Sequence, residues 1–242
     1  MAGSSGTKTT SKGGFEDLRR RIINCERCPR LREYAIAAEL KKPARFAHWA
    51  YWGKPVPGFG DPNARLLIIG LAPATTGALR TGRIFTGDAS SRFLVNALHS
   101  VGFANRAISE SRDDGLVYTD CYLTAAVKCA PPGDRPTPEE FENCSPYLEA
   151  EVLMLRNLKA VLALGSLAFK SYLNHLGESG VPTNGAKFEH GKKYHFGAGP
   201  ILFASYHPSP RNTNTGKLTP KMLVSVLRRI SREFQPIHEV RI

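Results

Sequence analysis

Four short apolar runs, separated by stretches with helical spacing, organise the chain. Leu66–Ile69, Val117–Val127, Ala160–Leu164 and Ile201–Ser205 read as strands. The intervening segments place apolar residues on one helical face. An amphipathic helix is predicted over Phe15–Arg32, with a second reaching Leu40. Further helices are predicted over Ser90–Val101 (Phe93, Leu94, Ala97, Leu98 and Val101 on one face), Pro138–Leu155, Ser166–Leu176 and Lys221–Phe234. Glycines and basic residues between Pro182 and Gly199 suggest a small hairpin. There is no internal repeat. Strand and helix alternate, which predicts an α/β three-layer sandwich with a central, mainly parallel four-stranded sheet flanked by helices. Residues 15–242 then form one domain, preceded by a Ser/Thr/Gly/Lys-rich segment, 1–14, expected to be a disordered tail or an appended expression sequence. Right-handed crossovers bring the loops after Ile69, Val127, Leu164 and Ser205 to one edge of the sheet.

Those loops hold nearly all the polar chemistry. The first run ends in Gly70-Leu71-Ala72-Pro73-Ala74 and continues to Thr81-Gly82-Arg83-Ile84-Phe85-Thr86-Gly87-Asp88. A strand-to-helix connection ordinarily needs about 2–6 residues, so this length points to a binding loop at the carboxyl end of a strand. No Gly-Lys-Ser/Thr closes it, which excludes a Walker phosphate loop. After Val127 comes Lys128-Cys129-Ala130-Pro131-Pro132-Gly133-Asp134, where the prolines fix the backbone around Asp134; a turn carboxylate or helix cap is the plainer role for that residue. The last run ends in Ser205-Tyr206-His207-Pro208-Ser209-Pro210-Arg211-Asn212. A histidine at a strand end before two prolines suits a fixed hydrogen-bond donor, and Arg211, Asn212 and Lys217 are candidate phosphate contacts.

Lysine and arginine outnumber aspartate and glutamate 33 to 21, a net +12. Such a field attracts a polyanion such as DNA, although charge alone does not separate that role from solubility. No run approaches the roughly 18 apolar residues of a membrane span, and no apolar signal core opens the chain, so a soluble intracellular protein is expected. Cys25 and Cys28 form a C-x-x-C, with Cys129 and Cys144 far downstream; four soft ligands of this kind suit a tetrahedral zinc or a [4Fe-4S] cluster, and spacing alone does not choose. Thioredoxin-like chemistry fits poorly, because the pair follows no strand. Cys121, inside a predicted strand, is expected to be a buried, inert thiol.

Together Gly70–Ala74, Arg80–Asp88, Thr124–Pro132 and Ser205–Ser209 make the chain resemble the family 5 (type b) uracil-DNA glycosylases, a likeness extending from about Cys25 to Leu227. The resemblance implies the uracil-DNA glycosylase fold, a [4Fe-4S] cluster on Cys25, Cys28, Cys129 and Cys144, and removal of deaminated bases from DNA in base-excision repair, by a cytoplasmic, nucleoid-associated monomer. On that reading the damaged base is flipped out of the duplex. Phe85 stacks on it, and the backbone near Leu71 and Ala72 bonds its edge. His207 stabilises the departing base, and Asp88 orients or deprotonates the attacking water, with Asp134 as a second polar contact. Arg83, Arg211, Asn212 and Lys217 are the expected DNA contacts. Asp134 departs from the family pattern, which often has Asn there. Thr124-Ala125-Ala126 lacks the Asn that other glycosylase families place at that strand end, so Ala125 is expected to permit hypoxanthine as well as uracil. A metal-stapled nucleic-acid-binding module without catalysis, or a glycosylase with another deaminated base as its main target, are the alternatives.

Overall fold

Leu66–Gly70, Cys121–Ala125, Ala160–Leu164 and Ile201–Ser205 are almost wholly buried, as strands covered on both faces must be. The computed structural model describes residues 11–234. In chain order its elements are α1 (Ser11–Ile23), α2 (Pro29–Leu40), β1 (Phe59–Gly60), β2 (Leu66–Gly70), α3 (Ala78–Thr81), α4 (Ala89–Ser100), β3 (Cys121–Ala125), α5 (Pro138–Met154), β4 (Ala160–Leu164), α6 (Ser166–Glu178), β5 (Lys193–Tyr194), β6 (Ile201–Ser205), α7 (Pro210–Asn214) and α8 (Pro220–Arg232). The sheet order is β1-β3-β2-β4-β6-β5. The four central strands are parallel, as expected, and two-residue antiparallel strands, β1 and β5, add to the edges.

Alternation along each strand divides the core into two layers. Leu66, Ile68, Leu123, Leu162 and Phe203 face one way, against Leu94 and Leu98 of α4 and Leu223, Val226 and Leu227 of α8. Leu67, Ile69, Val161, Leu202 and Ala204 face the other, against Leu148 of α5 and Phe169 and Tyr172 of α6. Each fully buried aliphatic side chain contributes about 1.5–3 kcal/mol relative to exposure, which makes these layers the main source of stability. Beneath the second layer, Lys128 Nζ is fully buried and donates to Thr124 Oγ1 (2.6 Å), the Ala125 carbonyl (2.8 Å) and Glu151 Oε2 (2.7 Å). The Glu151 carboxylate also accepts from the Thr124 hydroxyl at 2.7 Å and the Gly58 amide at 3.2 Å, so this satisfied network joins β3 to α5.

Several boundaries differ from expectation. The helix predicted over Phe15–Arg32 is broken: α1 ends at Ile23 and α2 begins at Pro29. Proline has no N–H to continue a helix and bars helical backbone from the residue before it, and Cys28 accordingly sits at φ −120°, ψ 85°. The break leaves Cys25 and Cys28 on the connection between two helices. The strand predicted over Val117–Val127 shortens to Cys121–Ala125, interrupted by Asp120 at φ +58°. The segment expected as a hairpin pairs instead with β6, Lys193 opposite Phe203 and Tyr194 opposite Leu202. Of the expected tail, residues 1–10 lie outside the described residues, and 11–14 form the first turn of α1. Among the described residues no helix is long and apolar enough to cross a membrane.

Candidate active site

The carboxyl ends of β2, β4 and β6 open into a cleft of about 1210 Å³. Leu71, Ala72, Asp88, Asp134, His207, Arg211, Asn212 and Lys217, eight of the ten sequence-predicted catalytic, base-binding and DNA-binding residues, all line it. Segments far apart in sequence meet here because the parallel strands end at one edge.

Asp88 is the N-cap of α4. Its Oδ1 accepts from the Ser91 amide at 2.7 Å, while Ser91 Oγ accepts from the Asp88 amide at 3.0 Å. One carboxylate oxygen is therefore fixed by the helix, and the other, Oδ2, lies over Gly77, where a Cβ would collide with it. Burial raises the Asp88 pKa above the ordinary aspartate value of 3.8, although hydrogen bonds from Ser91 and Ser90 and the charge of Arg92 oppose the shift. A fixed carboxylate of raised basicity on a residue that lines a cleft suits a general base or a water-positioning group.

His207 follows β6. Burial pushes its pKa down to about 4, so the imidazole is neutral near pH 7 and carries one N–H to donate. Asn212 Nδ2 donates to the His207 carbonyl at 2.8 Å. Asn212 thus fixes the backbone of His207, a different use from the phosphate contact expected of it. Phe85 is buried at φ +48°, and a Cβ on Gly70 would come within 2.7 Å of its ring, so only glycine admits the ring at the end of β2. The Phe85 and His207 rings lie 6.5 Å apart with a 32° tilt. Phe85 does not line the open cleft; it lies in the core next to His207. Lys217 Nζ lies 4.8 Å from the centroid of the Tyr206 ring at the exposed rim.

Two expectations meet a different geometry. Arg83, expected at DNA, is buried away from the cleft: its guanidinium donates to Thr86 Oγ1 (2.9 Å), the Arg112 carbonyl (3.0 Å), Ser109 Oγ (3.0 Å) and Asp114 Oδ2 (2.7 Å). These bonds knit the long loop to the 109–114 segment and leave little capacity for a phosphate. Ala125, expected to widen the base site, is buried with Leu123 and Phe85 in the core and is not among the residues that line the cleft.

The Arg83 pair also gives a test of acid stability. Burial would raise Asp114, but hydrogen bonds from Arg83, Leu116 and Glu110 more than offset it and hold the carboxyl at about 2. A carboxylate depressed from 3.8 stabilises the fold fully above the unfolded value and loses that contribution as pH falls towards 2. The shift corresponds to about 2 kcal/mol. Thermal melts of wild type should therefore fall between pH 4 and pH 2 more steeply than those of Asp114→Asn, and parallel curves would contradict the assignment.

Residues passed over in the sequence also line the cleft. Arg45, Phe46 and Trp49 lie on a segment without strand or helix periodicity, and Arg80 lies on α3. The interleaving of basic and aromatic residues in Arg45-Phe46-Ala47-His48-Trp49 is the signal that marks them.

Cys25, Cys28, Cys129 and Cys144 share one apolar cluster with Leu18, Ile22, Leu31 and Val127. Burial, reinforced by the neighbouring thiols, raises Cys129 and Cys144, the latter to about 11. Two N–H groups point at the sulfurs, Lys128 N to Cys144 Sγ at 3.4 Å and Asn143 Nδ2 to Cys28 Sγ at 3.7 Å. Arg30 clamps Glu140 through both carboxylate oxygens at 2.8 and 2.7 Å, tying α2 to α5 beside this cluster. Among the described residues no three His, Cys, Asp or Glu side chains stand at the spacing that closes around a single metal ion. The donors are all sulfur, three of them buried and Cys25 half-buried, soft ligands that fit iron or zinc and not a hard cation. Cys121 is separate and fully buried in β3, as expected of an inert thiol.

Comparison with known proteins agrees with this architecture. The family description "Uracil DNA glycosylase superfamily" matches residues 57–231. The chain is 48% identical over 224 residues to a type-5 uracil-DNA glycosylase of Pyrobaculum aerophilum, covering 93% of this chain and 95% of the relative. It is 44% identical over 211 residues to a type-5 enzyme of Thermus thermophilus, covering 87% and 94%. A type-4 uracil-DNA glycosylase of Pyrobaculum aerophilum is more distant, 29% identical over 199 residues, covering 81% and 83%. With its parallel sheet, its cleft at the strand ends and a family match across most of its length, the chain belongs to the uracil-DNA glycosylase superfamily.

Proposed function

We propose that the protein is a monofunctional DNA glycosylase that hydrolyses the N-glycosidic bond of uracil, and of other deaminated bases such as hypoxanthine, in double-stranded DNA. The observation that carries this reading is the pairing, in one basic-rimmed cleft, of a desolvated carboxylate, Asp88, with a neutral histidine, His207. A binding module needs the cations and aromatics; Asp88 would serve it as a helix cap alone, without a neutral histidine lining the same cleft. The reaction balances as follows. The bond from C1′ to the base nitrogen breaks with its electron pair leaving on the base, and the sugar becomes oxocarbenium-like. Water adds its oxygen to C1′ and gives a proton to Asp88, and the base anion is held by the N–H of His207 until it is protonated. Leu71 and Ala72 line the base site, and Arg211 and Lys217 contact phosphates at the rim.

Breadth follows from what lines the cleft. Asn212 is the only side-chain amide there among the described residues, and one of its two N–H groups is used on the His207 carbonyl. An amide tied to the backbone in this way is not dedicated to reading the base edge, so discrimination rests on weaker contacts. Asp134, when ionised, accepts the ring N–H that uracil and hypoxanthine both present. We assign Cys25, Cys28, Cys129 and Cys144 to a [4Fe-4S] cluster, an assignment supported by the all-sulfur donor set and by N–H groups directed at two of the sulfurs. When bound, the cluster supplies structural cross-linking of α1, α2 and α5 to the segment that carries Asp134.

Single-turnover excision on duplexes carrying uracil, hypoxanthine or thymine tests the reading. Uracil and hypoxanthine should be released and thymine retained, and His207→Ala should slow uracil release by about 100-fold or more. DNA binding without release of any base would leave only a binding module.

A further inference from the structure

We infer that Arg80 is the positioning residue that sets Asp88, and that it does so while packed against two aromatic rings, Phe46 and Trp49, of the cleft-lining segment. The inference rests on the glycosylase reading above. Arg80 is 4% exposed, although it lines the cleft. Its guanidinium carbon lies 4.3 Å from the centroid of the Phe46 ring and 4.1 Å from that of Trp49. In the plane of the group, Nε donates to the Thr76 carbonyl at 2.8 Å and Nη2 donates to the Gly87 carbonyl at 3.0 Å. One rigid fork therefore ties together the two limbs of the long loop, 76–77 and 87–88. Their approach is close: a Cβ on Gly87 would collide with Arg80 Nη2, and a Cβ on Gly77 with Asp88 Oδ2. Oδ2 of Asp88 thus sits where this cross-tie places it.

A packing role does not account for the residue. Nη1 is buried with no partner among the described residues, a state that costs about 1–3 kcal/mol and that an apolar side chain of similar length would avoid. Arg80 and Asp88 attract one another as charges, with Tyr51 and Arg45 also acting on the guanidinium. Arg92, on α4, is the cation that acts on the carboxylate from the helix side, and Glu110, Asp134 and His207 line the same cleft. Phe46 and Trp49 extend the link to the cleft wall, since both rings line the cleft and both lie within cation–π distance of the guanidinium that holds the Asp88 turn.

The test compares Arg80→Gln and Arg80→Lys with wild type in single-turnover uracil excision as a function of pH, alongside binding to a duplex carrying a reduced abasic analogue. Arg80→Gln should lower the maximal rate by about 100-fold with analogue affinity within twofold. Its acid limb should move to higher pH, because a carboxylate deprived of a nearby cation protonates more readily. Arg80→Lys should lose rate but leave the limb in place, and it carries the comparison if the glutamine variant does not fold. A wild-type rate, or a loss confined to affinity with an unmoved limb, would overturn the role of Arg80. Absence of excision by wild type would instead overturn the glycosylase reading.

Discussion

Asp88→Asn is expected to fold, to bind uracil-containing duplex with wild-type affinity, and to lose about 10³-fold in single-turnover excision. A general base or water-orienting group ordinarily contributes about 10²–10⁴-fold. Asparagine keeps the shape and the side-chain oxygen that caps α4, so the Ser91 contact survives and only the charge is lost. Stability should move in the opposite direction. Because burial raises the Asp88 pKa, the folded state binds its proton more tightly than the unfolded state, and the ionised group is destabilising at every pH above the ordinary value of 3.8. Asp88→Asn should therefore melt no lower than wild type at pH 7, and the same raised pKa should place the acid limb of wild-type kcat/KM above 3.8. His207, neutral above about 4, contributes no limb in the neutral range. A melt well below wild type would contradict the sign of that stability effect, and near-normal excision by Asp88→Asn would remove the carboxylate from the chemistry.

Replacing a proposed cluster ligand should have the other large effect. Purified protein should be brown with broad visible absorption, and Cys129→Ser should lose that colour and most of its folded yield. A structural metal group supplies folding free energy on the order of 10 kcal/mol, comparable with the whole stability of a domain. The damage should centre on the cluster formed with Leu18, Ile22, Leu31 and Tyr147, and should reach Asp134 along the segment that follows Cys129. Cys121→Ser should keep the colour, since that thiol lies apart in β3. Colourless, fully folded protein with stoichiometric zinc would contradict the cluster assignment.

The sheet was legible because parallel strands covered on both faces are continuous apolar runs, and Leu66–Ile69, Ala160–Leu164 and Ile201–Ser205 are just that. The site was legible for a related reason: Asp88, His207, Asp134 and Leu71 each stand at or beyond a strand end, where topology alone brings them together. Side-chain direction was not legible. Arg83 lies in the same loop as Asp88, yet it turns to Asp114 and Ser109, partners more than 20 residues away that local pattern does not reveal. Ala125 shares a face with Leu123, and only the three-dimensional end of β3 shows that this face meets the core and not the cleft. The segment from Arg45 to Trp49 escaped because it has no hydrophobic periodicity; a short 3-10 turn, the Lys42 bond to the Trp49 carbonyl and the contacts of Phe46 and Trp49 with Arg80 hold it instead. The single helix expected before Arg32 failed on one local rule, the bar that Pro29 sets against helical backbone at Cys28.

The central claim is hydrolysis of a glycosidic bond at the Asp88–His207 cleft, and its most direct test is a single-turnover reaction on uracil-containing duplex, with free base and DNA product weighed together. The account predicts free uracil and an intact strand bearing one abasic sugar for each base released, with both products lost together in Asp88→Asn. Bound but unaltered duplex, or a strand cleaved at the sugar as the base leaves, would contradict it.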